Sequence, residues 1–134
     1  MARPKYPHML PIEVEIWDRF AREHAEEWDR FDYDVHVGSI PELPADTPEH
    51  TLRLAEAVMR KRIDAVGWRG NQPYLFEVKP RAGMSALGQL LTYRTLFRRD
   101  VQRDPEPFLR VVTDSLAPDM KEIFNENDVA VYVV

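Results

Sequence analysis

Residues 62–79 read RIDAVGWRGNQPYLFEVK, and the fold turns on them. The two halves are apolar, β-branched or aromatic runs of strand length. Gly70 and Asn71 stand between them as a turn pair, so the stretch predicts a β-hairpin with strands over 62–68 and 73–79. Counting outward from the turn pairs Arg69 with Gln72 and, further along, Asp64 with Glu77. Directly opposed residues share a face, with Cβ atoms roughly 5 Å apart. A slip of one residue would send Asp64 to the other face.

Outward from the hairpin, residues 1–10 read as an irregular arm. Pro11 can start a helix. From there to about residue 28, Ile12, Ile16 and Phe20 recur every four positions with Trp17 beside them, an amphipathic helix. Residues 33–37 alternate and end at Gly38, which predicts a strand. The prolines at 41, 44 and 48 mark a linker, and a short helix over 48–59 follows. After the hairpin, Ser85 can cap a helix running to about residue 99, with Leu87, Leu90, Leu91, Tyr93, Leu96 and Phe97 as its apolar set. A strand over 108–113, a helix from Pro118 to about 124 and a strand over 129–134 complete the chain. The prolines fall between these elements. A terminal strand–helix–strand–helix–strand run requires crossovers, hence partly parallel pairing with helices covering the sheet.

At 134 residues, 44% hydrophobic and 31% charged, the chain is expected to form one domain over 1–134. It holds no apolar run long enough to span a membrane. The first ten residues have no apolar stretch of signal-peptide length, so the expected location is the cytoplasm, or a host cytoplasm or virus particle if the source is viral. Cysteine is absent, which excludes disulfides and thiolate metal sites. The net charge of −5 argues against a sequence-independent wrapper of DNA. Local basic clusters exist at Arg60, Lys61 and Arg62 and at Arg94, Arg98 and Arg99, although short runs of this kind are ordinarily solvated faces.

Chemistry concentrates on the hairpin. Glu77 and Lys79 leave the same face of a strand whose other face carries Phe76 and Val78. Burying such charges is costly unless they are paired or bind an ion. Asp64 and Glu77 held side by side would repel, and one would tend to stay protonated. A divalent cation relieves this, and oxygen donors completed by water and phosphate suit Mg²⁺ or Mn²⁺. On the flanking helices, Glu13 falls inside the apolar arc between Phe20 and Trp17, and Gln89 lies between Leu96 and Tyr93 on the core side. A plainer reading stands beside each of these. Asp64 and Glu77 can be strand-end acids with Lys79 as a surface partner, Glu13 a helix-start acid favoured by the dipole, and Gln89 a cap on the core edge. The four histidines show no ligand spacing, and the three tryptophans read as core.

Asp64, then Glu77-Val78-Lys79, then a helix bearing Gln89 and Tyr93 resembles the PD-(D/E)XK nuclease superfamily, across roughly residues 11–113. The resemblance implies a restriction-endonuclease-like α/β fold: a central mixed sheet flanked by helices, an αβββαβ core with a C-terminal helix and strand. It implies that Asp64 and Glu77 bind Mg²⁺ or Mn²⁺, that Glu13 completes or orients the metal site, and that Lys79 steadies or deprotonates the attacking water. Gln89 and Tyr93 resemble the glutamine–tyrosine helix of the RecB-like branches. Arg62, Arg81 and Tyr93 are the residues expected to contact nucleic acid. Ile63 stands where many members carry proline, and no separate DNA-reading module is visible. The activity implied is metal-dependent hydrolysis of phosphodiester bonds in DNA, by a homodimer or a subunit of a larger complex. The alternative is a structural or binding module that keeps the fold without turnover, such as part of a virus particle or nucleoprotein complex.

Overall fold

The computed structural model describes Tyr6 and residues 8–134; most of the arm expected over 1–10 lies outside the described residues. The elements are α1 (Pro11–His24), a 3₁₀ turn (Ala25–Glu27), β1 (Arg30–Val37), α2 (Glu49–Met59), β2 (Lys61–Arg69), β3 (Gln72–Ala82), α3 (Met84–Asp100), β4 (Phe108–Leu116), α4 (Met120–Glu126) and β5 (Val129–Val133). They build one five-stranded mixed sheet in the order β1-β2-β3-β4-β5. β1, β2 and β3 are antiparallel neighbours, whereas β3, β4 and β5 run parallel through the α3 and α4 crossovers.

Two apolar layers hold the helices to the sheet. On one face α1 buries Ile16, Trp17 and Phe20 against Ala65, Phe76, Val78 and Val112. On the other, α3 buries Ala86, Leu90, Tyr93 and Phe97, and α4 buries Met120 and Phe124, over Ile63, Val66, Leu75 and Val111. All three tryptophans are buried, as core residues should be. Gly67 is required where β2 passes beneath α1, because a Cβ there would lie 2.9 Å from both Phe31 and Trp28. Among the described residues no helix is long and apolar enough to cross a membrane.

Three local expectations are corrected. Pro73 falls in β3, where the predicted strand begins, but Pro80 also lies inside β3 rather than between elements. Pro73 is its second residue, and Pro80 lies past the last residue paired with β2, where a missing N–H costs no β2–β3 bond. Ser85 does not cap α3, which begins one residue earlier behind Gly83. The last helix starts at Met120 rather than Pro118, behind Asp119 in the left-handed region.

Candidate active site

The hairpin register is the one the Gly70-Asn71 turn dictates, from Arg69↔Gln72 through Ala65↔Phe76. The regular β2–β3 ladder stops there, one residue short of Asp64 and Glu77. On the opposite flank the β1–β2 ladder passes from Tyr33↔Ala65 to Val35↔Ile63 and skips Asp34 and Asp64. Asp34 has φ +54°, the left-handed region that a short polar side chain tolerates better than most. The break switches the pleat. Phe31 and Tyr33 pack in the α1 layer, whereas Val35 and Val37, of the same parity, pack in the α3 layer. On β2, Ala65 faces α1, yet Ile63 joins Val66 in the α3 layer.

This double irregularity frees Asp64 for a role in the backbone network. Its Oδ2 accepts the Val78 N–H at 2.8 Å, so a carboxylate stands where a ladder carbonyl would be. Its Oδ1 faces His8 Nε2 at 3.1 Å. Glu77 is 3% exposed. Its Oε2 lies 3.4 Å from Lys79 Nζ, and its Oε1 is buried with no hydrogen-bond partner among the described residues. Burial, with the neighbouring Asp64 charge added, pushes the Glu77 carboxyl well above the usual carboxylate range, against the pull of Lys79.

Gln89 and Tyr93 reach the same place from α3. With its amide turned so that nitrogen faces the sheet, Gln89 donates to Glu77 Oε2 and to the Ser85 carbonyl, both at 3.2 Å. The Tyr93 hydroxyl lies 3.3 Å from that amide. Burial, then the Glu77 charge, raises the Tyr93 phenol, so it stays protonated. Asp64, Glu77, Lys79, Gln89, Tyr93, Arg62 and Glu13 line one open cleft of about 440 Å³. Within it, the Glu13 carboxylate accepts the Leu10 N–H at 3.0 Å and so caps α1. Arg81 lies beyond the cleft, on the exposed end of β3.

Sequence reading missed His8 and Asp34, and it named Arg60 only as part of a basic cluster. His8 is nearly buried between Asp64 and Asp34, whose Oδ1 lies 3.6 Å from its Nδ1. Burial disfavours the imidazolium, but contact with Asp64 and the charges of both aspartates outweigh it and raise the His8 pKa. Asp34 also approaches His36 at 3.5 Å and Arg62 at 3.6 Å. Arg60 enters the cleft wall while its Nε bonds the Gly38 carbonyl at 2.9 Å. No spacing rule could have flagged His8, which belongs to the arm and meets Asp64 only through the fold.

The donor set fits a hard divalent cation. Glu77 Oε1 is a buried oxygen without a partner among the described residues, Asp64 lines the same cleft with its Oδ1 against His8, and oxygen donors suit Mg²⁺ or Mn²⁺. Among the described residues no three His, Asp or Glu side chains converge on one point. A cation here would therefore rest on Asp64 and Glu77 and take its other ligands from water or a phosphate.

No family model and no curated protein matches the sequence. Solved structures do. A repair endonuclease from Pyrococcus abyssi superposes with a TM-score of 0.55 at 12% identity, covering 98% of this chain and 49% of that one. EndoMS in a complex with double-stranded DNA gives 0.51 at 14% identity, covering 97% and 47%. The chain thus spans about half the length of each. The mixed five-stranded sheet with its flanking helices is the restriction-endonuclease-like α/β fold that these endonucleases share.

Proposed function

We propose that this chain is a nuclease that hydrolyses phosphodiester bonds in DNA with the help of Mg²⁺ or Mn²⁺. The observation that carries the reading is the pair of juxtaposed carboxylates, Asp64 and Glu77, with a buried unpartnered oxygen on Glu77 and Lys79 3.4 Å away, all in one open cleft. Asp64 and Glu77 would hold the cation. When bound, it lowers the pKa of water and stabilises charge on the scissile phosphate.

The remaining work falls to the chain's own groups. The Val78 N–H fixes the Asp64 carboxylate, and the Gln89 amide fixes that of Glu77. Fixed acceptors need little reorganisation during reaction, which is where electrostatic catalysis gains most. Lys79, partly exposed at the cleft, supplies positive charge where negative charge develops and steadies the attacking water. Arg62 and Arg60 stand at the wall to receive flanking phosphates, with Tyr93 and Arg81 as further contacts to nucleic acid. Glu13 orients the rim through its cap on α1.

The test is cleavage of labelled duplex, single-stranded and branched DNA with Mg²⁺, Mn²⁺ or EDTA, with Asp64→Ala and Lys79→Ala alongside. Metal-dependent cutting is expected, lost by roughly a hundredfold or more in either variant while circular dichroism is unchanged. Cutting that survives Asp64→Ala would sink the assignment. Absence of cutting on every substrate would favour a binding module on a nuclease fold, for which the net charge of −5 already speaks.

A further inference from the structure

The sheet has two edges, and they are built differently. β1 carries Arg30, Asp32, Asp34 and His36 and is kinked by the left-handed Asp34, all devices that discourage pairing with another strand. β5 reads Val-Ala-Val-Tyr-Val, with no charge, proline, glycine or bulge. β5 ends the sheet, and among the described residues no strand lies beyond it. Among the described residues its outward N–H and C=O groups therefore have no strand to pair with. Val133 is 59% exposed, and a groove of about 700 Å³ runs between this edge and α4, lined by Val129, Ala130 and Val131 on the strand and by Asp119, Lys121, Glu122 and Asn125 on the helix side.

We propose that β5 pairs antiparallel with β5 of a second copy, about a two-fold axis through Val131, to make a continuous ten-stranded sheet. Such an axis keeps each face on its own side, so opposed residues must have equal parity. Centring on Val131 uses the whole strand: Val129 meets Val133, Val131 meets itself, and Ala130 meets Tyr132. The last pair sets the smallest side chain of the strand against the largest, so the edge is complementary in size to itself. An isologous contact requires that property. Val129 and Val131 already belong to the α3–α4 layer and Tyr132 to the α1 layer, so each layer would continue across the axis.

The register has a consequence for the cleft. Glu77 is level with Val111, and Val111 with Val131. The axis would place the two Glu77 residues level, on the same sheet face, five strand spacings or roughly 24 Å apart. Two sites related by a two-fold axis match the two-fold symmetry of a duplex whose strands are both cut; this consequence, unlike the pairing itself, rests on the nuclease reading.

The test is independent of activity. Light scattering at tens of micromolar should give twice the 15.7 kDa chain mass. Ala130→Lys and Val133→Lys, at exposed positions, should each return the monomer with an unchanged circular dichroism spectrum. The chain has no cysteine, so a single Val131→Cys places a lone thiol on the axis. Under mild oxidation it should give roughly fivefold or more linked dimer than Arg53→Cys on exposed α2, because only near-axis Cα pairs fall within disulfide reach. A monomeric wild type, open-ended association, a dimer indifferent to both lysines, or equal linking by the two cysteines would each overturn the pairing.

Discussion

At Glu77 the proposed function coincides with a local instability. Its carboxyl is buried, beside Asp64, and held well above the usual range by that burial and that charge. An acid whose folded pKa lies above its unfolded value binds more protons folded than unfolded. Its contribution to stability therefore falls as pH rises above about 4.5 toward the folded pKa. Glu77→Gln should remove this penalty. In EDTA at pH 7–8 the variant is expected to melt higher than wild type by roughly 3 °C or more, since about 1 kcal/mol moves a domain of this size by roughly 3–5 °C. Below about pH 5 the difference should shrink. Melting curves across pH check this, and a variant less stable at pH 8 than at pH 5 relative to wild type would contradict it. Saturating Mg²⁺ should raise the wild type and leave the variant nearly unmoved. This residue was legible in the sequence because an acid and a base share one face of an apolar strand. Asp34 and His8 were not: a left-handed aspartate looks like any strand aspartate, and His8 meets Asp64 only through tertiary structure.

Elements were readable to the extent that local chemistry determines them. The hairpin and its register follow from Gly70 and Asn71, and α1 and α3 follow from apolar periodicity. The ends of elements followed less well. β3 runs on through Pro80 because, past its pairing with β2, β4 alone continues the ladder. The face switch at Asp34 breaks the alternation on which strand reading depends. Helix α2 raises a different point. Its sequence is amphipathic, yet it buries no residue, and Leu54 and Val58 are exposed. Its stability then rests on helix propensity and pairs such as Glu49–Arg53, each a few tenths of a kcal/mol. Leu54→Ser should change unfolding free energy by no more than about 0.5 kcal/mol. Leu90→Ala, at a fully buried α3 position, should cost roughly 2–5 kcal/mol. Urea titrations of the two variants measure both numbers. A large loss at Leu54 would mean that α2 is covered in solution.

At the scale of the molecule, charge and fold pull in different directions. The sheet and its helices have the fold of a repair endonuclease and of EndoMS, which is solved in complex with double-stranded DNA, yet this chain carries a net charge of −5. The favourable field must then be local, and the cleft offers three cations, Arg60, Arg62 and Lys79, beside its carboxylates. Neutralising about three phosphates should give a slope of roughly −3 in log affinity against log salt, shallow beside proteins that wrap the duplex. Fluorescence anisotropy with a labelled duplex in EDTA would read this directly. Arg62→Ala should flatten the slope by about one unit and weaken binding alike on all sequences. A slope steeper than about −5 would mean that the contact surface extends well past the cleft, to the second basic cluster at Arg94, Arg98 and Arg99. That cluster lies outside the cleft, so a contact confined to Arg60, Arg62 and Lys79 predicts the shallow slope.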